Sequence, residues 1–274
     1  MCPDMQTPAI LVNGQANELV SSLDRGLLFG DGLFETIAVR HGTPAFWDDH
    51  IRRLQHGCKV LRLACPDYSL LRTEVNGLVD AEEQCVIKII VTRGAGGRGY
   101  SFDEQSPTRI IQKFPWPDHP REYTDVGINL TLCRFRLSQQ SRLAQIKHLN
   151  RLEQVLARDE WKHEYQEGLV CDTQGNIIEA TSSNVFFEVD GQLITPDLAN
   201  CGVAGILRQQ VIDYCRHHGI PLAIGNFGLN DMVRVEAMFV CNSIAGIWPV
   251  KRFNAMEVTR SVITERLMSV FNYP

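Results

Sequence analysis

The stretch "GLVCDTQGNIIEATSSNVFFEVDGQLITP", residues 168–196, decides how the rest of the chain is read. Its apolar and β-branched runs are broken at Gln174-Gly175 and Asp190-Gly191, pairs suited to turns, so it reads as a meander of strands. Helical patterns flank it. Before it, "RLEQVLARDEW" (151–161) reads as a helix, with Asn150 as cap and Glu153 three residues later in a capping-box arrangement. After it, "GILRQQVIDYCRHHG" (205–219) brings Leu207, Val211 and Cys215 onto one face and closes at Gly219.

Further out, "AMFVCNSIAGIWPV" (237–250) reads as a buried strand and a loop, and "VTRSVITERLMSVF" (258–271) as a closing helix. Toward the N-terminus, "VGINLTLCRF" (126–135) is strand-like. "KFPWPDHPREYTD" (113–125) has three prolines between Pro115 and Pro120 and reads as a connector. Ahead of it lie a hairpin signal at Asn13-Gly14, a β-leaning "GLFETIAVRHGTPAF" (32–46) and a strand "CVIKIIVTRG" (85–94). Between these, "WDDHIRRLQHGCKVLRL" (47–63) repeats Ile51, Leu54, Cys58 and Leu61 at helical spacing, with Asp48 or Asp49 as N-cap. Strands and helices alternate irregularly. The expected architecture is α+β in two domains with mixed sheets and flanking helices, 1–112 and 126–274, joined by 113–125.

The totals exclude several classes. With 274 residues, 44% hydrophobic and 22% charged, the chain can bury a large core without disulfides or structural metal. A net charge of −5 gives no footprint for nucleic acid. No apolar run approaches the roughly 20 residues of a membrane helix, and the N-terminus lacks a secretion signal. The nine cysteines, at 2, 58, 65, 85, 133, 171, 201, 215 and 241, form no C-x-x-C pair and no zinc spacing with histidine. They read as small core residues of a reducing compartment, and the expected location is the cytoplasm.

"GAGGRG" (94–99) satisfies the G-x-G-x-x-G pattern and follows a strand. A dinucleotide cradle requires a helix next, whose first amides hold the pyrophosphate. The continuation "YSFDEQSP" has no apolar stripe and runs into Pro107, so that reading is rejected. A loop that brings Arg93 or Arg98 to an anionic substrate fits better, because the guanidinium fork grips a carboxylate with two parallel hydrogen bonds.

"IKHLN" (146–150) places one lysine between apolar neighbours ahead of a helix. An ammonium with a pKa of about 10.4 is protonated at neutral pH and cannot attack a carbonyl; burial or nearby positive charge makes it a nucleophile. Periodicity alone makes Lys147 an exposed lysine. The rest of the sequence changes that reading.

Lys147 with "HLN" behind it, then "EATSSNVFF", "GVAGILR" and "CNSIAGIWPV", resembles the fold-type IV pyridoxal-phosphate enzymes. That family includes branched-chain and D-amino-acid aminotransferases and aminodeoxychorismate lyase. The likeness runs from "LDRGLLFGDGLFET" (23–36) to "WPV" at 250. It implies pyridoxal 5′-phosphate as cofactor, a small-molecule substrate and a homodimer. Lys147 matches the lysine that holds the cofactor covalently and shuttles protons. Glu179 matches the carboxylate that pairs with the pyridine nitrogen, where a protonated ring serves as electron sink. Ile206 and Leu207 match backbone amides that meet the phosphate, Ser243 a hydroxyl directed at it, and Arg53 its arginine, with Arg52 adjacent.

"KHLNRLEQVLAR", "RGAGGRGYS" and "CNSIAGIWPV" look most like the lyase branch, which converts 4-amino-4-deoxychorismate to p-aminobenzoate and pyruvate on the way to folate. On that resemblance Arg98, with Arg93, grips a substrate carboxylate, and Thr36 orients a proton-carrying water. Glu35 departs from lyase relatives that carry a small polar residue there and resembles the transaminases. Amino-group transfer on D- or branched-chain amino acids is therefore the alternative.

Overall fold

The structure, a computed structural model, describes residues 9–102 and 106–272; Cys2 and the start of the N-terminal stretch lie outside them. The chain divides into two compact units, the first running to Pro117 and taking in Ile146–Asn150, the second made of Asp118–Gln145 and Arg151 onward.

In chain order the first unit contains β1 (Ala9–Val12), β2 (Gln15–Ala16), α1 (Arg25–Phe29), β3 (Gly32–Arg40) and β4 (Thr43–Pro44). It continues with α2 (Trp47–Leu61), α3 (Tyr68–Asn76), β5 (Cys85–Thr92) and β6 (Thr108–Pro115). The strands form one antiparallel sheet in the order β2-β1-β6-β5-β3-β4. Strand periodicity sorts its faces. Leu33, Glu35 and Ile37 of β3 are buried, and so are Ile87 and Ile89 of β5. The opposite face carries Phe34, Thr36 and Lys88, all half-buried, with Thr36 directly across from Lys88. Each fully buried isoleucine contributes about 1.5–3 kcal/mol, so register here is strongly fixed.

The second unit contains α4 (Glu122–Asp125), β7 (Ile128–Leu137), α5 (Leu152–Arg158), β8 (Glu167–Asp172), β9 (Ile177–Ala180), β10 (Asn184–Val189) and β11 (Gln192–Pro196). It ends with α6 (Ile206–His217), β12 (Leu222–Gly225), a 3-10 turn at Leu229–Arg234, β13 (Ala237–Asn242), β14 (Gly246–Phe253), β15 (Met256–Glu257) and α7 (Val262–Phe271). Its nine-stranded sheet has the order β12-β11-β10-β13-β14-β7-β8-β9, with β15 on β14. The pairs β11/β12, β14/β7 and β7/β8 are parallel and the remainder antiparallel, so the sheet is mixed. Alternate residues of β10 feed two cores. Val185, Phe187 and Val189 join Ile128, Leu169 and Val240 on one face, while Phe186 packs with Phe239, Leu207 and Val211 under α6 on the other.

Several local expectations need correction. Asn150 does not cap α5: the cap position is Arg151, which makes no side-chain cap bond, and Asn150 Nδ2 donates to the Gly30 carbonyl at 3.0 Å. Glu153 accepts from the Ser138 amide rather than reaching back to the helix start. Neither Asp48 nor Asp49 caps α2, which begins after a left-handed Phe46, and both acids fall in its first turn. The proline-rich stretch opens as strand, because Lys113, Phe114 and Pro115 still pair with Ile87, Val86 and Cys85. No helix follows "GAGGRG" through residue 102. No helix among the described residues is long and apolar enough to cross a membrane.

Candidate active site

Within the first unit, Ile146–Asn150 acts as an extra antiparallel segment on β3. The Phe34 amide donates to the Lys147 carbonyl at 2.9 Å, the Leu149 amide donates to the Gly32 carbonyl at 3.0 Å, and His148 stands opposite Leu33. Asn150 closes the segment against Gly30, whose φ of +64° and 2.6 Å clearance for a Cβ leave no room for another residue. Ile146 is fully buried. Lys147 is therefore held by main-chain pairing on a sheet rather than by a flexible loop. Its amine lies 4.5 Å from the centre of the Phe34 ring. The amine of Lys88 lies 5.4 Å from the same ring. Lys88 escaped the sequence reading because its meaning depends on the β3–β5 register, which sets it across from Thr36. Its only signal was a lone cation inside an apolar strand.

Arg53 is the inward arginine of its pair. Its Nε and Nη2 donate to the two carboxylate oxygens of Glu35 at 2.8 and 2.5 Å, and His50 Nδ1 lies 2.7 Å from Glu35 Oε2. Arg52 instead meets Asp49 on the exposed side of α2. Glu35 is buried because strand alternation turns it the same way as Leu33 and Ile37. Burial alone would raise its pKa, but the Arg53 charge and hydrogen bonds, with His50, bring it down to about 2. Glu35, noted in the sequence only as a departure from lyase relatives, thus fixes the rotamer of the expected phosphate arginine.

Arg93 and Arg98 separate sharply. Arg93 is buried and spends four donor contacts inside the protein, on both Asp31 oxygens and on the carbonyls of Leu61 and Arg62. A guanidinium so committed has little left for a substrate, so the expectation for Arg93 is revised to a structural one. Arg98 is exposed in the glycine loop.

Within the second unit, Glu179 is buried on β9 and its Oε2 accepts the Val203 amide at 2.9 Å. That bond fixes the segment leading into α6. The Asn184 Nδ2 donates to the Val203 carbonyl at 3.0 Å, and a Cβ on Gly205 would lie 1.9 Å from Asn184 Oδ1, so only glycine passes there. Gly205 gives α6 no side-chain cap, leaving the first amides, those of Ile206 and Leu207, without that partner. Twelve residues of helix stand behind them. Ser243 sits in a turn held by Asn242, whose Oδ1 accepts from the amides of Ile244 and Ala245 at 2.9 and 2.8 Å.

One buried acid was missed altogether. Glu167, at the start of β8, accepts hydrogen bonds from Thr181 Oγ1 at 2.5 Å, from Ser182 Oγ, and from Ser183 Oγ at 2.9 Å. Ser183 Oγ in turn accepts from Asn242 Nδ2 at 3.0 Å. One carboxylate thereby joins the loop after Glu179 to the turn of Ser243. "EGLVCD" shows none of this, since the three hydroxyls come from a different strand end.

Each unit by itself offers groups of the chemistry a pyridoxal 5′-phosphate uses: in the first, an amine on an aromatic face and an arginine fixed by a buried acid; in the second, an uncapped helix start behind a glycine that tolerates no side chain and a hydroxyl in a braced turn. Comparison with known proteins identifies the family. The amino-transferase class IV family matches residues 32–253. An aminodeoxychorismate lyase of Vibrio harveyi is 34% identical over 248 residues, covering 90% of this chain and 92% of its own. The crystal structure of 4-amino-4-deoxychorismate lyase from Pseudomonas aeruginosa superposes with a TM-score of 0.91 at 41% identity, covering 95% and 97% of the two chains. A D-alanine aminotransferase of Listeria innocua is 27% identical over 278 residues, 96% of this chain and 94% of its own. With that breadth of agreement, this chain belongs to the class IV amino-transferase family.

Proposed function

We propose that this chain is an aminodeoxychorismate lyase, cleaving 4-amino-4-deoxychorismate to p-aminobenzoate and pyruvate, a step toward folate. The observation that carries the reading is the 41% identity to the Pseudomonas lyase over 95% of the chain. Lys147, Glu179, Arg53, Ile206, Leu207 and Ser243 would hold pyridoxal 5′-phosphate. When bound, that group supplies an electron sink for the carbon bearing the substrate's amine.

The chain's own residues then divide the work. Lys147 takes the proton from that ring carbon and later returns one to the methylene of the departing enolpyruvyl group, while the ring becomes aromatic. Its attachment to β3 keeps the amine on the Phe34 face throughout. Thr36, one strand position pair along that face, orients a water for the proton's passage. Arg98 and Lys88 meet substrate carboxylates, which suits the two negative charges of this substrate. Pyruvate release needs no second substrate and no added water, since the atoms of the two products sum to those of the starting compound.

A homodimer is part of the proposal. Leu152, Val155 and Leu156 stand exposed at i, i+3 and i+4 of α5, a stripe that a second copy would cover. Eight described cysteines carry free thiols, in keeping with a reducing cytoplasm.

The alternative, amino transfer to a keto acid, draws on Glu35 and on the likeness to the Listeria aminotransferase. One assay separates the two. Aminodeoxychorismate given alone should yield pyruvate and p-aminobenzoate in equal amounts, and Lys147→Ala should abolish both while the protein stays folded. Turnover that waits for an added keto acid, with no pyruvate formed, would establish the transferase instead.

A further inference from the structure

Within "LDRGLLFGDGLFET", Asp24, Arg25 and Asp31 have no part in the chemistry above. The structure gives them one. Asp31 lies between two buried arginines: its Oδ2 accepts from Arg25 Nε at 3.0 Å and Arg93 Nε at 2.8 Å, and its Oδ1 from Arg93 Nη2 at 3.0 Å. With its Nε held there, Arg25 turns both terminal nitrogens toward the glycine loop. They donate to the carbonyls of Gly99 at 2.9 Å, Tyr100 at 3.2 Å and Ser101 at 3.4 Å.

The loop's other end is fastened by main chain. The Arg25 amide donates to the Gly94 carbonyl, the Gly96 amide to Leu23, and Asp24 bridges Ala95. Asp24 also caps the start of α1 and accepts from Thr92 Oγ1. Between the two fastenings lie Gly97, Arg98 and Gly99. A Cβ on either glycine would meet nothing within 4 Å, so the tip has no packing of its own. Its position is set by its ends. Among the described residues, the hydrogen bonds that reach Gly99, Tyr100 and Ser101 all come from Arg25.

We propose that Asp31 is a positioning residue: through Arg25 it anchors the far side of the Gly94–Ser101 loop and so sets where Arg98 meets the substrate's carboxylate. This rests on the lyase reading for the role of Arg98. The physical basis is charge compensation. Without the carboxylate, two buried guanidiniums face each other with only neutral acceptors, and Arg25 is driven to reorient, which releases the three carbonyls.

The test uses the cofactor-loaded enzyme with 4-amino-4-deoxychorismate, and compares Asp31→Asn, Arg98→Ala and the double variant. Each single change should raise KM about tenfold with kcat within about twofold and cofactor absorbance unchanged, and the double should be no worse than the worse single. A multiplicative double, about a hundredfold, would mean that Asp31 does not act through Arg98 and would overturn the proposal. A second readout is independent of the substrate: trypsin cleavage at Arg98-Gly99, followed by mass spectrometry, should quicken in Asp31→Asn. Unchanged cleavage with unchanged KM would also overturn it. If Arg98→Ala leaves KM alone while cleavage still quickens in Asp31→Asn, the anchoring holds and the substrate role of Arg98 fails. Should Asp31→Asn not fold, Arg25→Lys, which keeps the charge but loses the fan of donors, takes both measurements with the same expectations.

Discussion

Glu35 and Asp31 in the first unit, and Glu167 in the second, are all acids taken largely out of water, and the chain satisfies them in two ways. The first unit meets its acids with guanidiniums: Arg53 beside Glu35, which also has the His50 ring at hydrogen-bond distance, and Arg25 and Arg93 around Asp31. Burial would raise the Asp31 pKa, yet the two guanidiniums hold it below the ordinary carboxylate range. Glu167 takes three hydroxyls and, among the described residues, no ion pair. The cationic arrangement fixes where long arginine side chains point. The hydroxyl arrangement fixes where protons point: Thr181, Ser182 and Ser183 have spent theirs on Glu167 and can only accept from anything else. A phosphate needs donors, so those hydroxyls are unsuited to it, which favours the proposed role of Ser243.

The contrast breaks first at Glu35. Glu35→Gln removes one partner of a buried ion pair and should cost about 3–5 kcal/mol at neutral pH by urea unfolding. Its pH dependence is the sharper measurement. The native pKa lies at about 2 against an ordinary 4.5, so the stabilisation is complete above about pH 4.5 and is lost as pH falls toward 2. On the order of 3 kcal/mol should therefore disappear across that window in the wild type but not in the variant. Parallel curves would mean that the cations do not govern this acid.

Glu167→Gln tests the other arrangement. The amide keeps one acceptor but offers protons where hydroxyls already donate, so a loss of about 2 kcal/mol is expected. Because Glu167 braces the turn of Ser243, the apoenzyme's affinity for pyridoxal 5′-phosphate should fall more than its affinity for unphosphorylated pyridoxal, read by fluorescence titration. Equal losses would show that the brace does not reach the phosphate. Ser183→Ala cuts the link to Asn242 and should cost about 1 kcal/mol, with the same preference for the phosphorylated form at smaller amplitude. Asn150→Ala should cost about 0.5–1 kcal/mol through its bond to Gly30, and the helical circular dichroism should not change, since it caps nothing.

Where local rules govern, the sequence could be read. Asn13-Gly14 does turn a hairpin, with Val12 paired to Gln15, and the refused glycine fingerprint indeed has no helix after it through residue 102. Gln174-Gly175 and Asp190-Gly191 end strands as expected. Where the outcome depends on partners distant in sequence, reading failed. Asn150 has the composition of a cap, but Gly30 claims its side chain. Arg93 and Arg98 look alike in "TRGAGGRG", and only the position of Asp31 distinguishes them. Lys88 and Glu167 are single polar letters in apolar runs; their neighbours are supplied by register and by a loop from another strand. Helix α3 was overlooked although Asp67 caps it through the amides of Ser69 and Leu70.

The excursion of Ile146–Asn150 onto β3 has a consequence for how the protein comes into being. A ribosome that has released residue 117 has made every other part of the first unit, yet that unit still lacks the segment bearing its lysine. It stays incomplete until Asp118–Gln145 have also emerged. Cutting the gene at the proline-rich stretch therefore yields a first fragment without the segment that carries Lys147, and synthesis of the two units cannot be strictly sequential.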